Sequence, residues 1–351
     1  MMLAAVLQLI VFSAVLIVHV SAFTPSHPLA SPCPRRHPSA QAAATPSGAP
    51  MVAPFLSTTP SSVPLPHFPL EPLVPSSGPL LYDAFVAVQL QKMSALEGLT
   101  GVPLPPELAQ RESDKTVVED DGESGTRRPH VRISSACFSS KQFRKIRMTY
   151  FDSGAKGFEV FNSLWYPSFS LGADIPPPLL GVDLIKLSDS KYLQVIDAQP
   201  LTSPPQDTES APAYRSFFER LRRSRDRNYV GLTGRMSARH YDEKRYFSSS
   251  MLYGRFEDAS HVAALLFPAF CEYLSTYLDM VGSLRPCSST SVVERNEAMQ
   301  RGYDEYSAVR DPVQPVLAAF FGHEWAERYV HDFLFDLSSS TSREAREAVE
   351  G

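Results

Sequence analysis

The chain has 351 residues, which is enough for one large domain or two average ones. A formal net charge of −5 argues against a general nucleic-acid-binding protein. The four cysteines form no CxxC pair and show no metal-ligand spacing, so we expect neither a disulfide framework nor an iron–sulfur centre.

The N-terminal 79 residues differ in composition from the rest of the chain, and Glu71 is their only acidic residue. Residues 1–22 are uncharged and apolar, and they end in a sequence that a signal peptidase reads. Residues 23–79 are rich in proline, serine and alanine, so we predict a disordered transit peptide. The Ala22-Phe23 junction resembles the bipartite signal of algae with complex plastids, which predicts a location in the plastid stroma. Secretion, or a signal anchor followed by a proline-rich stalk, is the alternative.

One amphipathic helix is predicted over residues 79–99, where apolar residues recur at helical spacing. Residues 101–128 contain prolines and an acidic run, and they are predicted to form a mobile insertion. Strand-like segments then follow at 131–138, 143–151, 157–164, 181–187 and 192–198. Most of the gaps between them are too short for a helix, so we expect a mainly antiparallel sheet.

The rest of the chain is predicted to be mostly helical. A helix over 212–225 and a strand over 246–256 precede helices at 268–281, from a capping box at Ser291, from Asp311-Pro312 to Gly322, and at 325–335. Residues 337–351 are predicted to be a disordered tail. This order predicts an α/β fold in which residues 80–336 form a three-layer α/β/α sandwich.

Asp183 is the most informative residue, because it lies in a segment that otherwise predicts a buried strand. An ionised carboxylate there costs several kcal/mol unless it is paired or protonated. Burial disfavours the charged form, so we expect a raised pKa and a candidate proton donor. A strand-end aspartate that accepts a hydrogen bond from a nearby backbone N–H is the alternative.

Several signatures of other enzymes are absent from the sequence. We find no phosphate-binding glycine-rich loop and no dinucleotide fingerprint. His323-Glu324 is not followed by histidine at the HExxH spacing, which excludes that zinc-protease motif. The serines at 248–250 lack the context of a nucleophile elbow.

Several collinear motifs between about residues 82 and 336 resemble the ferredoxin-dependent bilin reductases. They are Phe143-Arg144-Lys145-Ile146-Arg147, Val160-Phe161-Asn162-Ser163, Leu180-Gly181-Val182-Asp183, Tyr246-Phe247-Ser248, Arg310-Asp311-Pro312 and His331-Asp332-Phe333-Leu334-Phe335. The resemblance implies an α/β/α sandwich with the open-chain tetrapyrrole between the sheet and the C-terminal helices. It also implies that no metal or flavin is bound, that ferredoxin supplies electrons one at a time, and that side chains supply protons to a substrate radical.

The resemblance assigns roles to single residues. Asp183 and Asp311 match the catalytic aspartates on the sheet side and the helix side of the bilin. The predicted substrate-binding residues are Asn162, Asp197, Ser248 and Arg255. Asn162 stands where the phycocyanobilin-forming branch has histidine, which disfavours that branch. Two alternatives stay open from the residues alone: Asp311 is also a suitable helix N-cap, and Arg255 suits an exposed surface.

Two basic clusters are candidates for docking an acidic ferredoxin. One contains Lys141, Arg144 and Lys145 together with Arg147, and the other contains Arg222 and Arg223 within residues 220–227. A solvated helix face is the alternative for any one of these residues.

The motifs favour the phycoerythrobilin-forming branch of the family. The implied activity is a two-electron reduction of 15,16-dihydrobiliverdin to phycoerythrobilin by radical steps with aspartate proton donors. The alternatives are a sister reductase that acts on biliverdin, and a carrier that binds bilin without reducing it. We expect a monomer with ferredoxin and a bilin as partners, and with neither nucleic acid nor, in the mature form, a membrane.

Overall fold

The computed structural model describes residues 67–68, 79–113, 130–154, 157–172, 174–236 and 241–338. The predicted signal peptide, nearly all of the predicted transit peptide, residues 114–129 and residues 339–351 lie outside the described residues. The predicted disordered tail begins too early, because residues 337–338 belong to the 3₁₀ turn Asp336–Ser338. Within those ranges, no helix combines the length and apolar character that crossing a bilayer would require.

The centre of the fold is an antiparallel sheet of eight strands in the described part of the chain. The strands are β1 Thr100–Gly101, β2 Gln110–Glu112, β3 Arg132–Ser139, β4 Phe143–Asp152, β5 Glu159–Pro167, β6 Leu179–Ser188, β7 Lys191–Gln199 and β8 Leu252–Phe256. The spatial order is β1-β3-β4-β5-β6-β7-β8, with β2 also paired to β3. Each strand from β3 to β7 therefore neighbours the next one in the chain, as the short gaps in the sequence predicted.

Helices cover both faces of this sheet, which confirms the predicted fold class. They are α1 Asp83–Met93, α2 Pro106–Ala109, α3 Gln206–Ser210, α4 Arg215–Asn228, α5 Glu243–Tyr246, α6 Phe267–Ser283, α7 Thr290–Arg310, α8 Val313–Phe321 and α9 His323–Arg328. Two π-helical turns, Val262–Leu266 and Tyr329–Leu334, precede α6 and follow α9.

The two sides of the sheet bury separate hydrophobic cores. Phe85 of α1, Phe218 of α4 and Tyr277 of α6 pack with Trp165 on one side. On the other side, residues of α8, α9 and the second π-helical turn pack against β3 to β6. Because side chains alternate along a strand, each central strand contributes to both cores. The candidate site lies on the second side.

Three predicted features differ from the structure. Residues 101–112, predicted to be part of a mobile insertion, contain the end of β1 and all of α2 and β2, and both strands pair with β3. The predicted strand over 246–256 begins only at Leu252, because Ser248 turns its backbone N–H onto the Asp197 carboxylate at 2.8 Å instead of into the sheet. The predicted capping box at Ser291 is also wrong, since α7 begins at Thr290 without a side-chain cap.

Candidate functional site

A cavity of about 240 Å³ lies between the sheet and α8 together with the second π-helical turn. Its walls are largely apolar. The sheet contributes Ile133, Phe151, Val160, Ile185, Leu193 and Val195, and the helical side contributes Pro312, Val313, Val316, Leu317 and Leu334. Polar groups enter from Arg147, Thr149, Asn162, Asp183, Asp311, Tyr241, Tyr253 and Tyr329. An apolar cavity with a few convergent polar groups is typical of a small-molecule site.

Asp183 reaches the cavity because of its position in β6. Its neighbours Val182 and Leu184 point into the core on the opposite side of the sheet, so the alternation of the strand turns Asp183 towards the helices. Burial raises the pKa of Asp183 to about 6, and repulsion from Asp311 adds to this effect. The hydrogen bond from Asn162 and the charge of Arg147 oppose it. The predicted rise in the pKa of this carboxyl is thus reproduced, with burial as its main cause.

Asp311 faces the same cavity from the helical side, between the end of α7 and the start of α8. Its Oδ1 accepts a hydrogen bond from the backbone N–H of Val313 at 2.9 Å. The predicted capping contact is therefore present. Because the carboxylate also lines the cavity, capping and contact with a ligand are both open to this residue.

Asn162 links Asp183 to a buried guanidinium. It pairs directly with Asp183 across β5 and β6, and its Nδ2 donates to Asp183 Oδ1 at 3.3 Å. Its Oδ1 accepts from Nη1 of Arg147 at 2.5 Å. We call Arg147, Asn162, Asp183 and Asp311 the site cluster.

Arg147 was predicted to belong to an exposed basic cluster, but it is only 3% exposed and lines the cavity. It lies two residues before Thr149, so both side chains are on the inward face of β4.

Asp197 lies in a smaller adjoining cavity of about 90 Å³, which shares part of the site cluster as its wall. Its carboxylate accepts from the Oγ of Ser248 at 2.5 Å and from the backbone N–H of Ser248 at 2.8 Å. Burial raises the pKa of Asp197 to about 8, although both hydrogen bonds from Ser248 lower it. Ser248 itself is not among the lining residues, so the structure gives it contact with Asp197 and not with the cavity.

Arg255 does not line either cavity. It is exposed on β8, and its Nε donates to the hydroxyl of Tyr253 at 2.9 Å. Tyr253 does line the larger cavity. The structure therefore brings Arg255 to the site only through Tyr253, and its predicted contact with the substrate stays a prediction.

Arg144 and Lys145 are not available to an acidic partner as predicted. Lys145 Nζ pairs with Asp336 Oδ1 at 2.8 Å, and Arg144 Nη1 pairs with Asp336 Oδ2 at 3.1 Å. Arg144 Nη2 also lies 3.7 Å from Asp304 Oδ2, and both basic side chains are largely buried. We call Arg144, Lys145, Asp304 and Asp336 the anchor cluster, because it ties α7 and the segment after the second π-helical turn to β4.

The other predicted docking residues have exposed charge. Lys141 is 66% exposed and pairs with Glu97. Arg222 and Arg223 lie on α4, with Arg222 40% exposed and 4.0 Å from Glu209. Arg144 and Lys145 therefore do not belong to an exposed docking surface, and Lys141, Arg222 and Arg223 remain as the predicted docking residues.

Several residues of the site were not predicted from the sequence. The hydroxyl of Tyr329 lies 2.6 Å from Ser135 Oγ and 2.8 Å from Thr149 Oγ1, and the ring borders the cavity. Tyr241, in the loop before α5, also borders it. Thr149 could have been found from the alternation of β4, since it shares the inward face with Arg147. The tyrosines come from irregular or π-helical segments, for which periodicity gives no signal.

Within the described ranges, no group of three or more His, Cys, Asp or Glu side chains is arranged to hold a metal ion. The site instead offers two carboxyl groups on opposite sides of an apolar cavity, one amide and one buried guanidinium. Such a site can hold a flat apolar ligand and exchange protons with it from either side. The fold and the cavity together define a ligand-binding α/β/α sandwich. One acid–base group enters its cavity from the sheet, and another enters from the helices.

The comparisons with known proteins identify the family. The family model described as ferredoxin-dependent bilin reductase matches residues 88–336. The chain is 34% identical over 257 residues to the 15,16-dihydrobiliverdin:ferredoxin oxidoreductase of Gloeobacter violaceus, which covers 73% of this chain and 95% of the relative. It is 35% identical over 256 residues to the protein of the same name from Nostoc punctiforme, with the same two coverages. The chain therefore belongs to the ferredoxin-dependent bilin reductases.

A solved structure with the same fold is the phytochromobilin synthase of tomato in complex with biliverdin. It aligns with a TM-score of 0.60 and 18% identity, over 74% of this chain and 84% of that one. The likeness supports the fold, and the family match supports the activity: this protein is an oxidoreductase that takes electrons from ferredoxin and reduces a bilin.

Proposed function

We propose that this enzyme interconverts biliverdin and 15,16-dihydrobiliverdin, with reduced ferredoxin as the electron donor. The observation that carries the proposal is that Asp183 and Asp311 face one apolar cavity from opposite sides. Two reduced ferredoxins each give one electron to the bilin and are oxidised. The bilin takes up two protons and becomes the dihydro product. Asp183 supplies one proton from the sheet side, and Asp311 is the candidate donor on the helix side.

The names of the relatives support this substrate pair. The proteins from Gloeobacter violaceus and Nostoc punctiforme are named for electron exchange between 15,16-dihydrobiliverdin and ferredoxin. Loss of the two hydrogen atoms at C15 and C16 turns 15,16-dihydrobiliverdin into biliverdin. A relative of these proteins that receives electrons from ferredoxin is therefore suited to the reverse step, the formation of 15,16-dihydrobiliverdin.

The second candidate is the reduction of 15,16-dihydrobiliverdin to phycoerythrobilin, as predicted from the sequence. The run Arg144-Lys145-Ile146-Arg147 and the segment Val330-His331-Asp332-Phe333-Leu334-Phe335 favour it. Both candidates use the same cavity and the same carboxyl groups. They differ in which bond of the tetrapyrrole lies beside the proton donors, a matter of about an ångström in how the bilin is seated.

An anaerobic assay separates the candidates. The purified enzyme is given reduced ferredoxin and either biliverdin or 15,16-dihydrobiliverdin, and the products are resolved by chromatography. Consumption of biliverdin with 15,16-dihydrobiliverdin as the product supports the first candidate. Consumption of 15,16-dihydrobiliverdin with phycoerythrobilin as the product supports the second. Binding of both bilins without turnover of either would leave only the carrier predicted as an alternative, and would overturn the proposal.

The proposed docking surface for ferredoxin is the exposed side of α4. This helix contains six arginines and two acidic residues, and Arg222 and Arg223 are accessible on it. Complementary charge raises the rate of encounter with an acidic partner more than it raises affinity. Arg225 is less suited to docking, because its Nη1 donates to the backbone carbonyl of Ser249 at 2.6 Å.

We also propose that residues 1–79 deliver the enzyme to the plastid. The support is the acid-poor composition and the Ala22-Phe23 junction. A fusion of residues 1–80 to a fluorescent protein is expected to reach the plastid, and the Phe23→Ala fusion is expected to stay outside it. Import that is indifferent to this substitution would overturn the bipartite signal.

A further inference from the structure

Arg147 is a buried cation whose hydrogen-bonding capacity is not used up. One of its terminal nitrogens, Nη1, donates to Asn162. The guanidinium stands over the ring of Phe335, 5.3 Å from its centroid. The Nε atom is buried and has no hydrogen-bond partner, and in the part of the chain that the structure describes no carboxylate forms an ion pair with this residue. Arg147 borders both cavities of the site.

Such an arrangement is costly unless a ligand completes it. A guanidinium keeps its charge at any physiological pH, and removing a charge from water carries a large desolvation cost. A buried N–H without a partner adds to that cost. Arg144, three residues earlier on the same strand, meets two carboxylates at a comparable burial. The fold therefore provides carboxylate partners for one buried arginine of β4. Arg147, which lies where the two cavities meet, has no such partner among the described residues.

We propose that the Nε–H of Arg147 donates to a lactam oxygen at one end of the bilin and stabilises the negative charge that the first electron brings. This inference rests on the proposed function. A bilin offers two kinds of oxygen, propionate carboxylates and the lactam carbonyls at its two ends. Nη1 is held by Asn162, which leaves the edge of the guanidinium that carries Nε–H and Nη2–H for the bilin. A propionate at this edge would be repelled by the carboxyl groups of Asp183 and Asp311, which line the same cavity, so a neutral lactam carbonyl is the better partner.

The charge of the lactam oxygen changes during the reaction, which gives this contact a catalytic effect. An electron from reduced ferredoxin enters the conjugated system of the bilin, and part of its charge appears on the lactam oxygen. A hydrogen bond from a cation is stronger to that oxygen than to the neutral carbonyl, so it stabilises the reduced state more than the ground state. Asp183 then gives its proton to the bilin and becomes a carboxylate.

Arg147 also determines how the amide of Asn162 is oriented. Because Asn162 Oδ1 accepts from Arg147, its Nδ2 is turned towards Asp183 and donates to it. A donor favours the carboxylate form of Asp183, as does the positive charge of Arg147. Without Arg147 the amide is free to turn its oxygen to Asp183 and accept from the protonated acid. The other titratable groups that act on or respond to Asp183 are Asp311, Tyr241 and Tyr82.

The test compares Arg147→Gln, Arg147→Lys and wild type, with Arg132→Gln as a control. Arg132 is on the neighbouring strand β3, pairs with Glu112 at 2.7 Å and does not line the cavity. Binding of biliverdin and of its dimethyl ester is measured anaerobically by absorbance, and reduction is followed in single turnovers. We expect Arg147→Gln to weaken binding of both ligands about tenfold. Reduction of the bound bilin is expected to slow by a larger factor, about a hundredfold.

Two further readouts separate this role from a purely structural one. Arg147→Lys keeps the charge and is expected to recover part of the reduction rate. In Arg147→Gln, the pH above which reduction declines is expected to move upwards, because the pKa of Asp183 loses two influences that lower it. Melting temperatures are measured for every variant, and Arg147→Lys keeps the test decisive if Arg147→Gln does not fold.

The experiment distinguishes a failure of the proposed role of Arg147 from a failure of the proposed function. If the wild-type enzyme neither binds nor reduces a bilin, the proposed function fails. If wild type is active and Arg147→Gln behaves like Arg132→Gln, the role of Arg147 is overturned while the proposed function stands. If the binding defect vanishes with the dimethyl ester, the partner is a propionate and the lactam assignment is overturned. Equal defects with the acid and the ester support the lactam contact.

Discussion

Two clusters of buried charge lie along β4, and they differ in how completely they are paired. In the anchor cluster, Lys145 and Arg144 share Asp336, and Asp304 accepts from the hydroxyl of Tyr166 at 2.7 Å. Burial alone would raise the pKa of Asp336, but Lys145 and Arg144 outweigh it, so the pKa of this carboxyl is lowered. The more deeply buried Asp304 keeps a pKa raised to about 6, although Arg144, Lys145 and Tyr166 lower it. In the site cluster, Asp183 has one long hydrogen bond and its pKa is raised.

The difference shows how the same residue types serve stability in one place and chemistry in the other. A buried charge that is paired and hydrogen-bonded contributes to a single folded arrangement. A buried charge that faces a cavity with unused hydrogen-bonding capacity is costly in the free protein and is stabilised by a ligand. Substitutions in the two clusters test this contrast.

Replacement of Asp183 by asparagine should give the largest loss of activity. The variant keeps the shape of the side chain but has no transferable proton, so reduction of bound bilin is expected to fall by about 10²–10⁴. Bilin affinity should stay near that of wild type, and a radical signal should persist after the first electron. The measurements are anaerobic single turnovers and electron paramagnetic resonance. Full activity in this variant would remove Asp183 from the mechanism.

The pH dependence of the unfolding free energy of the same variant tests whether the buried carboxyl of Asp183 destabilises the folded protein. The pKa of Asp183 rises from 3.8 to about 6 on folding, so the favourable contribution of its protonated form is complete below 3.8 and is lost as the pH rises through 6. Asp183→Asn has no such loss. We expect it to be more stable than wild type at pH 7.5 by on the order of 2 kcal/mol, and equally stable near pH 4. Urea unfolding at the two pH values measures this difference.

Replacement of Lys145 by methionine should produce the opposite result. Removing Lys145 takes away one of the two cations beside Asp336 and the donor to the backbone carbonyl of Phe333, while Arg144 stays paired with Asp336, so we expect about 2 kcal/mol of lost stability. Because Lys145 does not line the cavity, turnover per folded molecule should not change. Lys141→Met is the matched control: its ion pair with Glu97 is exposed, and stability should change by less than about 0.5 kcal/mol. Equal effects of the two substitutions would remove the distinction between anchor and surface charge.

At Asp311, substitutions can separate the helix-capping role from the proposed role as a proton donor. Asparagine caps a helix as well as aspartate does, so Asp311→Asn should leave the melting temperature unchanged. If the carboxyl donates a proton, reduction should still slow about tenfold or more. Asp311→Ala should lose about 1 kcal/mol of stability in addition, because the hydrogen bond to Val313 is lost. Full activity in Asp311→Asn would leave this residue with the capping role alone.

The layers of the fold follow from local patterns in the sequence, and for that reason they could be predicted. Alternation in the strands and short gaps between them determine an antiparallel sheet, and the segments from β3 to β7 lie within a few residues of their predicted limits. Asp183 was identified in the same way, because a carboxylate within an apolar strand is a local anomaly. The Asp311-Pro312 pair at the start of α8 is a local signal as well.

What could not be predicted depends on contacts between distant segments. Arg144, Lys145 and Arg147 form one basic run in the sequence, and nothing local separates two buried clusters within it. In the structure a register shift between Phe143 and Lys145 interrupts the pairing of β4 with β5, and Asp336, nearly 200 positions away, accepts from both Arg144 and Lys145. The turn at Ser248 likewise depends on Asp197, 51 residues earlier.

The exposed arginines of α4 differ from both buried clusters, and substitutions there should have the smallest effect on turnover. Arg222→Glu combined with Arg223→Glu should slow turnover about tenfold at limiting ferredoxin and low salt, because electrostatic steering is lost. The salt dependence of the rate should weaken, while bilin affinity and the melting temperature should not change, since neither side chain lines the cavity. The measurement is the steady-state rate against ferredoxin concentration at several ionic strengths. Lys141→Glu is the control for the other predicted surface. If it slows turnover and the α4 double variant does not, ferredoxin docks near Lys141, at the turn between β3 and β4, and the proposed α4 surface is wrong.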